Sequence, residues 1–146
     1  MNYKRDLIDE LRALPHRKAS IENLKERISI LKMQLEAIRA ASTDAEPVSG
    51  GGTNKREDAM INNLYEQMVR KNDLRVTEAQ VKLLEENIAK LLPNERLVLE
   101  RFYVIGEKNA VTRLMNDLGY EKSQIYRIKD KALANLARRL YGRIEE

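Results

Sequence analysis

The chain has 146 residues, which allows one compact domain or two small ones and excludes the scaffolds of large enzymes. Hydrophobic residues make up 42% of the sequence and charged residues 34%, whereas aromatic residues make up only 5%. Because β-sandwiches need many aromatic and β-branched residues, this composition predicts an all-α protein. Cys is absent and His occurs once, at His16, so the sequence offers no disulfide, thiol nucleophile or Cys/His zinc site. Since no other catalytic constellation is present, we expect no enzymatic activity, metal or cofactor.

The basic residues are unevenly distributed, although the net charge is only +4. Residues 1–93 carry 16 basic and 15 acidic groups, whereas the segment from Lys122 to Arg143 carries seven basic groups against Asp130 alone. A concentrated positive field of this kind predicts binding to a polyanion. No stretch approaches the ~18 consecutive apolar residues of a membrane span, so we expect a cytoplasmic protein without membrane contact.

The first 92 residues are predicted to form a helical module. Residues 3–14 are amphipathic and are expected to form a short helix that ends at Pro15, because proline disrupts a helix interior. A second helix is expected after Ser20, which is a suitable N-cap. Its apolar residues recur at alternating spacings of three and four, the a/d pattern of a coiled coil: Ile21, Leu24, Ile28, Leu31, Leu35 and Ile38.

A flexible connection and another long helix are predicted next. Residues 42–54 contain Pro47 and three consecutive glycines, which favours an exposed linker. The polar segment 70–73 separates two apolar frames and predicts a kink, a stutter or a short break. The first frame contains Ile61, Leu64 and Met68, and the second contains Leu74, Val81, Leu84, Ile88 and Leu91. The simplest assembly of residues 1–92 is an antiparallel helical hairpin, and a homodimer through the same stripes is the alternative.

Residues 93–146 are predicted to form a second, smaller helical domain. Pro93 ends the long helix, and Gly106 separates the short helices expected over residues 94–103 and 108–118. Their inward side chains are predicted to be Leu97, Val98, Leu99, Phe102, Ala110, Val111, Leu114, Met115 and Leu118.

The last predicted helix covers about residues 122–140 and follows Gly119, which supplies the left-handed conformation of a tight turn. Its inward residues lie at spacings of three or four: Ile125, Ile128, Ala132, Leu133, Leu136 and Leu140. This leaves a polar and basic set on the outer side, which we take as the candidate DNA-binding residues: Lys122, Ser123, Gln124, Tyr126, Arg127, Lys129 and Lys131.

Two short helices joined by a glycine-containing turn, with basic and amide side chains on the second helix, are typical of a helix-turn-helix. An α-helix fits the major groove of DNA, its N-terminus attracts phosphate, and Arg, Lys and Gln can donate hydrogen bonds to base edges. The pattern therefore predicts that residues 122–140 form a recognition helix.

The segment from Leu92 to Leu136, LPNERLVLERFYVIGEKNAVTRLMNDLGYEKSQIYRIKDKALANL, resembles region four of the sigma-70 family, the module that reads the −35 promoter element. The resemblance implies that Lys122, Ser123, Gln124 and Arg127 occupy the base-reading positions. It also implies that Tyr126, Lys129 and Lys131 lie nearer the DNA backbone. Glu121 departs from the family pattern, because a Ser or Thr usually caps this helix. The triplet Lys122-Ser123-Gln124 also replaces a more strongly charged one.

Nothing upstream resembles the sigma domains that bind the polymerase clamp or melt the −10 element, so the chain is not expected to be a complete sigma factor. A helical hairpin followed by a region-four-like end resembles the ArpU-like late transcription regulators of phages and prophages. The resemblance implies a sequence-specific DNA-binding regulator in the bacterial cytoplasm, associated with the nucleoid. Its expected partners are double-stranded DNA and RNA polymerase. The alternatives are a small terminase subunit for phage DNA packaging and a helical protein-binding adaptor.

Overall fold

A computed structural model describes residues 2–44 and 52–142, and within these ranges all regular secondary structure is helical. The all-α prediction is therefore confirmed for the described part of the chain. No helix within it is both long enough and apolar enough to span a membrane. The elements in chain order are α1 (Tyr3–Asp44), α2 (Gly52–Ala89), α3 (Pro93–Leu99), a π-helical turn (Glu100–Val104), α4 (Ala110–Leu118) and α5 (Lys122–Tyr141).

Helix α1 continues through Pro15, so the prediction of a separate short helix over residues 3–14 is wrong. An internal proline removes one backbone hydrogen bond and costs a helix about 3 kcal/mol. Pro15 is exposed, whereas Leu11 and Leu14 beside it are buried. Burying leucine side chains stabilises a fold by about 1.5–3 kcal/mol each, which offsets the cost of the proline.

Helix α2 is also continuous, so of the kink, stutter or short break predicted at residues 70–73, the break is absent. Arg70 forms ion pairs with Glu66 at 3.6 Å and with Asp73 at 3.8 Å. The hydroxyl of Thr77 donates a hydrogen bond to the backbone carbonyl of Asp73 at 2.8 Å. The ion pairs of Arg70, between residues three and four apart, stabilise the helix where the apolar pattern is interrupted.

The chain divides into two compact units, which we call the terminal unit (Met1–Lys18 and Gln80–Glu146) and the central unit (Ala19–Ala79). The domain boundary expected at residues 92 and 93 does not coincide with this division, because the first turns of α1 and the end of α2 belong with the C-terminal helices. Of the predicted connection 42–54, the first three residues end α1 and the last three begin α2. Residues 45–51 lie outside the described residues.

The terminal unit contains most of the buried apolar side chains of the described chain. They come from the start of α1, the end of α2 and the three C-terminal helices: Leu7, Leu11, Leu14, Val81, Leu84, Ile88, Leu91, Val98, Leu99, Ala110, Leu114, Ile125, Ala132, Leu133, Leu136 and Ala137. Every inward residue predicted for the C-terminal helices is buried or half-buried. The last part of the helix predicted over residues 94–103 differs in type, because it forms the π-helical turn.

In the central unit, the predicted stripe on α1 faces inward, with Ile28 and Leu35 buried and its other members half-buried. On α2 the inward positions are instead the buried polar residues Asn63 and Gln67. Asn63 Nδ2 donates a hydrogen bond to the backbone carbonyl of Leu31 at 2.9 Å, and Gln67 Nε2 donates to Asn63 Oδ1 at 2.8 Å. The expectation that Ile61, Leu64 and Met68 form a packing frame within the hairpin is wrong, since all three side chains are exposed.

Candidate nucleic-acid interface

The turn between α4 and α5 consists of Gly119, Tyr120 and Glu121. Gly119 has a φ of 71°, and its amide donates to the carbonyl of Met115 at 2.9 Å, which ends α4. Side chains with a Cβ rarely adopt this left-handed conformation, so glycine is the residue that this turn requires. The turn and its glycine are as the sequence predicted.

A small apolar cluster supports the helices on both sides of this turn. Val98 of α3, Leu114 of α4 and Ile125 of α5 are each 0% exposed and contact one another. The half-buried side chains packed around them are Leu97, Phe102, Met115, Leu118, Tyr120 and Ile128. The hydroxyl of Tyr120 also accepts a hydrogen bond from Asn94 Nδ2 at 3.3 Å, so the turn is joined to the start of α3. The orientation of α5 is therefore determined by contacts with two other helices.

The start of α5 has no side-chain cap. Glu121 occupies the N-cap position with extended backbone, but its carboxylate makes no capping hydrogen bond. The Glu121 backbone carbonyl accepts from the amides of Gln124 at 3.0 Å and Ile125 at 3.1 Å. Unpaired amides in the first turn of a helix favour contact with phosphate oxygens. The absence of a cap agrees with the departure of Glu121 from the family pattern.

Four of the candidate residues lie together on the exposed side of α5, opposite the buried cluster. They are Ser123, Gln124, Arg127 and Lys131, spaced so that they follow one side of the helix. Lys122 is exposed at the helix start. Among the residues that the structure describes, no carboxylate forms an ion pair with Lys122, Arg127 or Lys131. These three cations are thus available to an external anion.

Tyr126 and Lys129 lie on a different side of α5, next to the π-helical turn. The Lys129 ammonium is 4.9 Å from the ring centroid of Tyr126 and 5.7 Å from that of Phe102. The Lys129 side chain is only 20% exposed. The prediction that Lys129 points outward with Arg127 is therefore wrong, because its cation is attracted to the faces of two aromatic rings.

Asp130, the only acidic residue described within α5, is neutralised locally. Its carboxylate oxygen lies 3.4 Å from the ammonium of Lys4 and 3.9 Å from that of Lys129. Lys4 belongs to the first turns of α1, so this compensation is a tertiary feature of the terminal unit. Asp130 consequently reduces the positive potential of the exposed side of α5 less than a free carboxylate would.

A second group of basic residues extends the candidate interface beyond the predicted set. Lys90, Lys131, Arg138 and Arg139 line a groove of about 500 Å³ between the end of α2 and α5. Its lining also includes Glu95, which is buried and accepts a hydrogen bond from Asn135 Nδ2 at 2.8 Å. In the sequence analysis, Arg138 and Arg139 were included only among the seven basic groups from Lys122 to Arg143. No signal in the sequence pointed to Lys90, which is distant along the chain.

Ion pairs also fix the π-helical turn against α4. Arg101 pairs with Asp117 and with Glu107, whose second oxygen lies 2.7 Å from Arg113. The hydrogen bond that the Arg101 guanidinium donates to Asp117, together with the negative charges of Asp117 and Glu107, raises the pKa of Arg101. These contacts position Phe102 beside α5, where its ring faces the Lys129 ammonium.

Two tyrosines of the terminal unit are held in their neutral form. Burial raises the pKa of Tyr103 above its ordinary value of 10.0, although the nearby Arg12 guanidinium lowers it. Burial also raises the pKa of Tyr141, and the carboxylates of Glu10 and Asp6 add to that effect.

Comparison of the chain with protein-family models, curated proteins and solved structures finds no match. Within residues 2–44 and 52–142, no group of three or more His, Asp or Glu side chains could hold a metal ion. The geometry and charge of the terminal unit are therefore the basis for a functional proposal.

Proposed function

We propose that this chain is a sequence-specific DNA-binding transcription regulator, in which α4, the Gly119 turn and α5 act as a helix-turn-helix. In this proposal α5 enters the major groove and α1 and α2 form a helical hairpin that contacts a second copy or RNA polymerase. The resemblance of residues 92–136 to sigma-70 region four supports this function, as does the resemblance of a helical hairpin with a region-four-like end to ArpU-like phage regulators.

One observation carries the proposal: the exposed side of α5 presents Arg127 and Lys131 together with Ser123 and Gln124, and Lys122 is exposed at the helix start. None of these three cations has an intramolecular carboxylate partner in the described chain. A solvated basic helix of no function is the competing explanation. Such helices usually form salt bridges with neighbouring acids, as α2 does at Arg70. On α5 the only described carboxylate, that of Asp130, instead pairs with Lys4 and Lys129.

The dimensions of α5 suit the major groove. A helix with its side chains is about 10–12 Å across, which fits the major-groove width of about 12 Å, and the 20 residues of α5 extend about 30 Å. In a helix-turn-helix the N-terminal residues of the recognition helix contact base edges, so Gln124 and Arg127 would reach the bases. The later turns, with Arg138 and Arg139, would lie outside the groove near the phosphates of the flanking backbone.

The proposal is tested by selecting bound sequences from a random duplex library. The full-length protein is immobilised and washed at two salt concentrations. Non-specific phosphate binding weakens steeply as salt rises, whereas contacts to bases leave an enriched motif. We expect one motif to survive the higher salt. Substitution Arg127→Ala should then cost about 1–3 kcal/mol in binding and relax the preference at one position of that motif.

Absence of enrichment at both salt concentrations would contradict the proposal. Binding to RNA polymerase without affinity for DNA would instead support the protein-binding adaptor. A closed ring of many subunits, measured by light scattering, would support the small terminase subunit.

A further inference from the structure

The central unit exposes an apolar stripe on the outer side of α2, which we call the outer stripe. It consists of Ile61 (63% exposed), Leu64 (46%), Tyr65 (60%) and Met68 (60%). These residues lie at spacings of three and four, so they form one continuous surface over two turns of the helix. Single exposed apolar residues are common, but a contiguous set of large ones is typical of a protein interface.

The inward side of the same helix is already occupied. Asn63 and Gln67 are buried there. Asn63 donates a hydrogen bond to the backbone carbonyl of Leu31 on α1, and Gln67 donates one to Asn63. The stripe on α1 is likewise used inside the unit, because Ile28 and Leu35 are buried. A dimer through the heptad stripe of α1 would need these residues to leave the interior. The outer stripe is available without any such rearrangement.

The charged residues at the two ends of the outer stripe indicate which partner it binds. Glu57 precedes the stripe and Arg75 follows it, both exposed. They are separated by about five helical turns at 3.6 residues per turn, so they lie on the same side of α2. In an antiparallel pair of identical helices that places Leu64 opposite the partner's Met68, Glu57 lies opposite the partner's Arg75. The two-fold axis generates this attractive pair twice, since such an interface is self-complementary.

We propose that the outer stripe is a dimer interface, in which α2 packs antiparallel against α2 of a second copy of this chain. The apolar side chains provide the contact area, and the two Glu57–Arg75 pairs select the antiparallel orientation over a parallel one. A parallel arrangement in register would place each of these charges opposite its own copy, which is repulsive. Formation of this dimer does not require DNA.

Sedimentation equilibrium of the full-length protein tests the interface. Met68→Glu is the test variant and Met33→Glu is the matched control. Met33 is 70% exposed on α1 of the same unit, so both substitutions add one charge at an exposed methionine. We expect wild type and Met33→Glu to have twice the chain mass of 16.9 kDa and Met68→Glu to be monomeric. Circular dichroism should show equal helix content in all three proteins.

A charge exchange tests the orientation. Glu57→Arg and Arg75→Glu should each weaken the dimer by at least tenfold in dissociation constant, and the double variant should restore most of the affinity. A monomeric wild type, or a dimer that Met68→Glu leaves intact, would overturn the interface. A double variant as weak as the single variants would overturn the antiparallel pairing.

Discussion

The rings of Tyr3 and Tyr141 lie 5.1 Å apart, so the first turn of α1 packs against the last turn of α5. The ion pair between Lys4 and Asp130 adds a second contact between the two helices, at 3.4 Å. Farther along α1, the guanidinium of Arg12 lies 5.7 Å from the ring centroid of Tyr103. The N-terminal turns of the chain are therefore part of the structure that supports the candidate interface on α5.

Shortening a buried side chain at the start of α1 should destabilise the terminal unit. Leu11 is 0% exposed, and Leu11→Ala is expected to lower the free energy of unfolding by about 2–5 kcal/mol through lost burial and a residual cavity. Urea denaturation measures the loss. Met33→Ala, at an exposed position of the same helix, should change stability by less than about 0.5 kcal/mol. Equal effects of the two substitutions would contradict the packing described for α1.

Lys131 and Lys129 should behave differently when substituted, although both were assigned to the DNA backbone. We expect Lys131→Ala to weaken binding to all duplexes alike and to reduce the salt dependence by about one phosphate contact. Lys129→Ala should instead remove about 0.5–1 kcal/mol of stability, because its ammonium lies over the rings of Tyr126 and Phe102. Fluorescence anisotropy at several salt concentrations and thermal unfolding separate the two effects. Loss of DNA binding with unchanged stability in Lys129→Ala would refute this distinction.

Lys90 should contact the DNA backbone even though it lies outside the region-four-like segment. Because it lines one groove with Lys131, Arg138 and Arg139, Lys90→Gln is expected to reduce the slope of log affinity against log salt by about 0.9. The enriched sequence motif should not change, since phosphate contacts carry no base preference. Lys32→Gln, at an exposed site of the central unit, removes the same charge and should leave the slope unaltered. Identical slopes for the two variants would exclude Lys90 from the interface.

The buried amides of the central unit should act as a pair. Asn63→Leu removes the acceptor of the Gln67 hydrogen bond and leaves a buried amide unsatisfied, which costs about 1–3 kcal/mol. Replacing both residues with leucine should recover that loss or exceed wild-type stability, because no unpaired amide remains. Thermal unfolding of the two variants measures the difference. A double variant less stable than Asn63→Leu would show that the amides contribute net stability.

The stability of the terminal unit should decline at alkaline pH. Burial raises the pKa of Tyr103 and of Tyr141 in the folded state above the ordinary value of 10.0, so folding favours the neutral form of both side chains. Below about pH 10 their contribution to the free energy of unfolding is fully present. As the pH rises further, the unfolded chain ionises first and stability is lost. Urea denaturation between pH 8 and about pH 11 should show this loss, and the variant Tyr103→Phe with Tyr141→Phe should lose less.

The local elements of the C-terminal half could be predicted from the sequence. Gly119 predicted a left-handed turn, and the spacing from Ile125 to Leu136 predicted which side of α5 is buried, because both depend on backbone sterics and helix period. The continuity of α1 through Pro15 was missed. Local propensity disfavours an internal proline, and only the burial of Leu11 and Leu14 outweighs it.

Within the candidate site, the position of Lys129 likewise depends on a tertiary contact that the local sequence pattern did not predict. Its spacing predicted an outward side chain, but Phe102, on the π-helical turn, offers an aromatic ring that the helix period of α5 cannot reveal. In the central unit, the apolar pattern favoured Ile61, Leu64 and Met68 as the inward residues of α2. The structure buries Asn63 and Gln67 instead, because a backbone carbonyl of α1 provides a hydrogen-bond acceptor there.

The sequence by itself therefore determined the helical class, the Gly119 turn and the buried side of α5, since composition, glycine stereochemistry and the 3.6-residue period act locally. Tertiary structure decided which cations of α5 remain without partners, which residues of α2 face inward, and that Lys90 joins Arg138 and Arg139 in one groove. These features depend on side chains that are distant in sequence and adjacent in space. Their charge and hydrogen-bonding partners are set by packing between helices and not by the pattern within any one of them.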